Sequence, residues 1–103
     1  LEMLKKAASM RQNNPYIIDS LGWAYFMKKD YSEAKFFLQR AVELLPSDPI
    51  INDHFADVLW MLNKNIQARY IWNSVLKFEK VDAKLKEKIS KKLIFGITKK
   101  NIN

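Results

Sequence analysis

Apolar residues in this chain recur at the three-to-four-residue step of a helix and again, on a longer scale, every 34 residues. Ile17 and Ile51, Leu21 and Phe55, Tyr25 and Leu59, Phe26 and Trp60, and Leu38 and Trp72 all stand 34 apart. So do the small pairs Gly22/Ala56 and Ala34/Ala68, the pair Ala41/Val75, the acids Asp19/Asp53 and the prolines Pro15/Pro49. Leu4, Ala7 and Met10 extend the register upstream, and Leu85, Ile89, Ser90 and Leu93 extend it downstream. No stretch alternates apolar and polar residues as a half-buried strand does. One helical unit is therefore used about two and a half times, and a closing helix follows.

Punctuation within the pattern sets the element boundaries. Asn14 before Pro15 and Asp48 before Pro49 pair a capping acceptor with a proline at the first helical position, where the missing N–H costs nothing. Asp30-Tyr31-Ser32-Glu33 reads as a capping-box variant opening a second helix, and Asn65 is expected to cap the equivalent helix of the next unit. These signals predict helices over about 2–12, 15–28, 31–45, 49–62, 66–79 and 83–95. In the last of these Val81, Leu85, Ile89 and Leu93 form an apolar stripe, Phe78 leads in, and Gly96 ends it. Gly22 costs roughly 1 kcal/mol of helix propensity relative to alanine, so a close helix–helix approach is expected there.

The residues Leu21-Gly22 with Tyr25, then Asp30-Tyr31 at the turn, Ala34, Ala41 and Pro46, resemble the tetratricopeptide repeat, a helix-turn-helix module of 34 residues. The second unit departs from that pattern: Ala56 replaces the glycine, and Lys80 stands where a proline would close the repeat. The resemblance implies an all-α fold in which antiparallel helix-turn-helix repeats stack as a right-handed α-solenoid with a C-terminal capping helix. Residues 1–14 then supply the second helix of a partial repeat, 15–48 and 49–82 two repeats, 83–97 the capping helix, and 98–103 a disordered tail. The wording of 19–26 and 53–60 is similar to C-terminal repeats of bacterial tetratricopeptide proteins; with the abundance of lysine, isoleucine and asparagine it suggests a bacterial source, with cytoplasm and periplasm both open.

Composition narrows the possibilities. A chain of 103 residues, 49% apolar and 13% aromatic, supports one hydrophobic core and holds no apolar run long enough to span a membrane. Without cysteine, disulfides, thiol nucleophiles and sulfur-ligated zinc are excluded. The net charge of +7 is concentrated at one end: residues 77–103 carry nine lysines and three acids, whereas residues 1–76 are nearly balanced. The chain opens on Leu1-Glu2-Met3-Leu4, which reads as a piece of a longer repeat protein. Its first helix would lack a partner, so the fragment is expected to dimerise through its N-terminal end.

The one histidine, His54, lies between Asp53 and Asp57 and raises the question of a metal or catalytic site. His54 points about 100° away from Asp53 around a helix axis, and the preceding repeat has no comparable ligand set, so an edge histidine in an ordinary hydrogen bond is the reading preferred. No phosphate loop or nucleophile–base arrangement stands out, and neither an enzyme, a metal nor a cofactor is expected.

Function is then recognition. In a stacked helix-pair solenoid the first helix of each pair lines the inner face, where a peptide or partner protein can lie. Helical periodicity places Tyr16, Asp19, Trp23, Phe26 and Met27 there in the first repeat, and Ile50, Asp53, Asp57, Trp60 and Met61 in the second. Aromatics beside acids predict an apolar or weakly basic partner segment, with Trp23 and Trp60 as anchors. The resemblance also disfavours a carboxylate clamp for chaperone tails, which uses lysine, asparagine and arginine on that face. Two alternatives stand beside this one: nucleic-acid or anionic-membrane binding through Lys84, Lys88, Lys91 and Lys92, which the acidic inner groove disfavours, and a purely structural role as terminal cap of a longer solenoid.

Overall fold

The computed structural model describes residues 14–98, which fold into five α-helices with no strand among them. They are α1 (Pro15–Met27), α2 (Tyr31–Leu44), α3 (Pro49–Met61), α4 (Asn65–Val75) and α5 (Ala83–Phe95). The predicted helix over 2–12, the N-terminal association face and residues 99–103 of the expected tail lie outside the described residues.

The 34-residue register reappears atom by atom. Asn14 Oδ1 accepts from the N–H groups of Tyr16 and Ile17 at 3.0 and 3.2 Å, and Asp48 Oδ1 accepts from those of Ile50 and Ile51 at 3.0 and 2.9 Å. Each cap satisfies two of the orphan donors that open a helix, and Pro15 and Pro49 start equivalent elements. Helices α1 and α3 also end alike. Lys29 and Asn63, 34 apart, both have a φ of 64°. The next N–H in each case, from Asp30 or Lys64, donates back to Tyr25 or Leu59 at 3.0 or 2.8 Å, closing a six-residue Schellman turn.

The second helix of each unit starts differently. Asp30 Oδ1 accepts from Glu33 N–H at 3.3 Å, as its position predicts. Asn65, expected to cap α4, is instead its first helical residue, and Lys64 occupies the cap without a side-chain bond. The repeat register explains the correction: Lys64 stands where Asp30 stood, and the asparagine that could accept, Asn63, is taken up by the left-handed turn. Helix α4 also stops at Val75 rather than near 79. There the chain tightens, with the N–H groups of Lys77 and Phe78 donating three residues back, and Phe78 and Val81 turn in beneath α5.

Two apolar clusters hold the stack. Ile18, Leu21, Tyr25, Phe26, Ala34, Leu38, Ala41, Ile51 and Val58 form the first, between α1, α2 and α3. Ala56, Leu59, Ala68, Trp72, Val75 and Ile89 form the second, between α3, α4 and α5. Phe55 packs against both. The close approach expected at Gly22 is present: a Cβ there would lie 2.7 Å from Leu38 Cγ and 3.2 Å from the Leu38 backbone nitrogen. Val81, Leu85, Ile89 and Leu93 face the second cluster, so α5 closes the stack.

Candidate functional site

Helices α1, α3 and α5 lie side by side, and a single spacing rule joins them. Asp19 Oδ1 meets His54 Nδ1 at 2.9 Å, and Asp57 meets Lys92 Nζ at 2.9 and 3.2 Å. Both pairs are 35 residues apart, one repeat plus one residue. In these two pairs an acid on one inner helix meets a base on the next, one residue further round, whereas Asp53 is held by Lys92, 39 positions on. The sequence contains this signal, an acid followed 35 positions later by a base, although no single repeat displays it.

Beneath α5 the rule produces a buried ionic cluster. Lys92 Nζ donates to Asp53 Oδ1 at 2.9 Å as well as to Asp57, and Trp72 Nε1 donates to the same Asp53 oxygen at 3.0 Å. Lys92 is 0% exposed, Asp53 1% and Asp57 0%. Lys92 Nζ also stands 5.9 Å from the centre of the Trp72 ring. Two carboxylates facing one ammonium leave the cluster one negative charge in excess when fully ionised. Burial, and next the neighbouring Asp53 charge, push the Asp57 carboxyl up from its ordinary 3.8 to about 7, against the pull of Lys92 and His54. Among the described residues no buried side-chain nitrogen or oxygen lacks a hydrogen-bond partner.

This cluster corrects several expectations. Asp53 and Asp57 do not present acid to a partner, because Lys92 reaches in from α5 and draws both under cover. Lys92 is not one of the solvated lysines, because its register places it against α3, where its stem packs and its ammonium finds two acids. Phe26 is 3% exposed and belongs to the first cluster. Its ring stacks on Trp23 at 4.5 Å, and Trp23 stacks in turn on His54 at 4.1 Å. His54 makes the expected hydrogen bond, but its side chain is only 14% exposed, so it is an interhelix bracket rather than an edge residue.

The remaining predicted residues divide by exposure. Tyr16 and Met27 are each 61% exposed and Ile50 55%. Asp19 is half-buried against His54, and Met61 is half-buried against the first cluster. Trp60 is half-buried too, and its ring is walled in: Arg69 lies over it at 5.3 Å, Trp72 tilts against it at 5.7 Å, and Gly96 approaches so closely that a Cβ there would stand 2.4 Å from the indole. Arg69 also donates to the Leu93 carbonyl, which ties α4 to the end of α5. Trp60 therefore anchors the closing helix. Unforeseen at the inner face are Ile94 and Phe95, 70% and 69% exposed, with Phe95 in the register of Met27 and Met61.

The clustered carboxylates Asp53 and Asp57 are buried beneath α5. Among the described residues no group of three or more histidines and acids is placed to hold a metal ion, and no helix is long and apolar enough to cross a membrane.

Comparison with known proteins places these observations. Residues 15–48, which comprise α1, α2 and the turns around them, match the family described as Tetratricopeptide repeat. Over 66 residues the chain is 30% identical to anaphase-promoting complex subunit 3 of Schizosaccharomyces pombe (strain 972 / ATCC 24843). That similarity covers 64% of this chain and 10% of the relative, so the chain spans about a tenth of that protein's length.

Proposed function

The chain belongs to the tetratricopeptide repeat family, whose repeats generally mediate protein–protein interaction, and we propose that it binds a peptide or partner protein on the inner face of its repeats as a scaffold with no catalytic role. One observation carries this reading: large apolar side chains recur in repeat register on the inner helices without being used in packing. Tyr16 and Ile50, 34 apart, are exposed at the second position of α1 and α3, and Met27 and Phe95, two repeats apart, are exposed at the last position of α1 and α5. Core packing takes other residues of these helices, among them Leu21, Tyr25, Phe26, Ala56 and Leu59, which leaves these outward rows for a partner. The relative named above is a subunit of a complex, which supports a role in assembly.

The test contrasts faces. Serine at Tyr16, Met27 and Ile50 together is expected to abolish capture of the partner while leaving far-UV circular dichroism unchanged. Serine at the outer-helix residues Phe36 and Tyr70, 64% and 73% exposed, is expected to leave capture intact. Capture that survives the first set and fails with the second assigns binding to the opposite face.

A further inference from the structure

The charge that the inner face shows to solvent is the reverse of what its sequence suggests. The inner helices α1, α3 and α5 carry four carboxylates, and each is engaged within the chain. Asp19 is held by His54, Asp53 and Asp57 by Lys92, and Glu87 by Lys91 at 3.3 Å. The cations are not exhausted in the same way. Helix α5 carries five lysines; after Lys92 and Lys91 are assigned, Lys84 and Lys86 stand exposed and Lys88 half-exposed with no acid on the inner helices left to meet them.

Lysine and apolar positions share the same rows. Lys84 occupies on α5 the register of Tyr16 and Ile50, and Phe95 occupies that of Met27 and Met61. The two rows are eleven residues apart along each helix, about 16 Å at 1.5 Å per residue. The face is thus apolar along both margins and positive at its α5 end, where field lines from several lysines add.

Resting on the reading of the inner face as a docking surface, we propose that its partner is an acidic amphipathic segment of another protein. The segment's apolar side chains seat against Met27, Ile50 and Phe95, and its carboxylates reach the lysines of α5. A basic segment meets repulsion at that end and no free acid elsewhere on the inner helices. Charge of this kind sets preference and encounter rate more than total affinity, so the apolar contacts remain necessary.

Three fluorescently labelled synthetic peptides test this on the whole chain. They share one pattern of leucines and phenylalanines, and their polar positions are filled with glutamate, glutamine or lysine. By anisotropy at low salt the glutamate peptide is expected to bind about tenfold more tightly than the glutamine peptide, since two or three exposed charge contacts supply about that much, with the lysine peptide weakest. Met27→Ser and Phe95→Ser are each expected to weaken all binding. Lys84→Glu combined with Lys88→Glu is expected to remove the glutamate preference, as is added salt. A lysine peptide that binds equally well, in a manner still sensitive to Met27→Ser, overturns the acidic preference and leaves the inner-face reading standing. Absence of binding by all three, or binding indifferent to both apolar variants, overturns both. Displacement of the glutamate peptide by duplex DNA that depends on Lys84 and not on Met27 overturns the proposal in favour of nucleic acid.

Discussion

Lys92 carries the strongest consequence at the scale of a single residue. Its ammonium is bonded to two fully buried carboxylates, and Lys92→Ala takes that bonded charge away from both. Breaking a buried pair from one side costs about 3–5 kcal/mol, and urea unfolding of this variant is expected to show a loss of that order. Combining Lys92→Met with Asp57→Leu and Asp53→Asn is expected to recover most of it, because the desolvation penalty disappears with the charges. Asp57 gives the cluster a pH dependence. Its folded pKa of about 7 lies above its ordinary 3.8, so the folded state binds the proton more tightly. The associated stability is present in full below 3.8 and is lost as pH rises through 7. Urea midpoints measured from about pH 5 to about pH 8 are expected to fall more steeply in the native chain than in Asp57→Asn, which cannot titrate.

At the scale of elements, helix ends and crossings decide what substitutions do. Gly22→Ala places a methyl group against Leu38, including its backbone nitrogen, which cannot move aside without shifting α2. A loss of about 1–3 kcal/mol is expected by thermal or urea unfolding. The opposite sign is expected at the turn between α1 and α2. Lys29 is exposed and holds the left-handed conformation that L-residues adopt at a cost of roughly 1–2 kcal/mol. Lys29→Gly removes that strain but loosens the unfolded chain, so a net gain of about 0.5–1 kcal/mol is expected, measured as a raised urea midpoint. Helix α4 invites a similar gain. Its cap position holds Lys64 with no side-chain bond, and Lys64→Asp is expected to add about 0.5–2 kcal/mol by restoring what Asp30 does for α2.

At the scale of the whole molecule, the two apolar clusters make the stack a chain of dependent interfaces, each joined to its neighbour through Phe55. Helix α5 is the last of these. It covers Trp72 and Ile89, supplies Lys92, and presses Gly96 onto Trp60. Ending the chain after Asp82 is therefore expected to expose the second cluster together with Asp53 and Asp57. In circular dichroism melts the truncated chain should lose the cooperative transition of α3 and α4, while α1 and α2 retain helicity at low temperature. A sharp native-like transition in the truncated chain would show that α5 is an appendage. The lysines of α5 serve in two ways: Lys92 closes the fold from within, and Lys84, Lys86 and Lys91 are exposed.

Among the described residues the sequence by itself determined that the helices exist and in what order, because that follows from local rules repeated every 34 residues. Asn14 and Asp48 cap, Pro15 and Pro49 start, Gly22 permits contact, and each rule acts within a few residues or one repeat. Even the 83–95 span of the closing helix was legible, from the stripe of Val81, Leu85, Ile89 and Leu93 and from Gly96, and the structure adds an Asp82 cap and a Gly96 φ of 71°. Only the tertiary structure decided which polar and aromatic residues of the inner helices stay exposed and which are covered. That choice depends on side chains from different repeats meeting one residue out of register. Asp57 becomes a core residue because Lys92 lies 35 positions later, and Trp60 becomes a support because Gly96 turns back over it. A residue's burial is set by whatever lands on it, and no local pattern carries that.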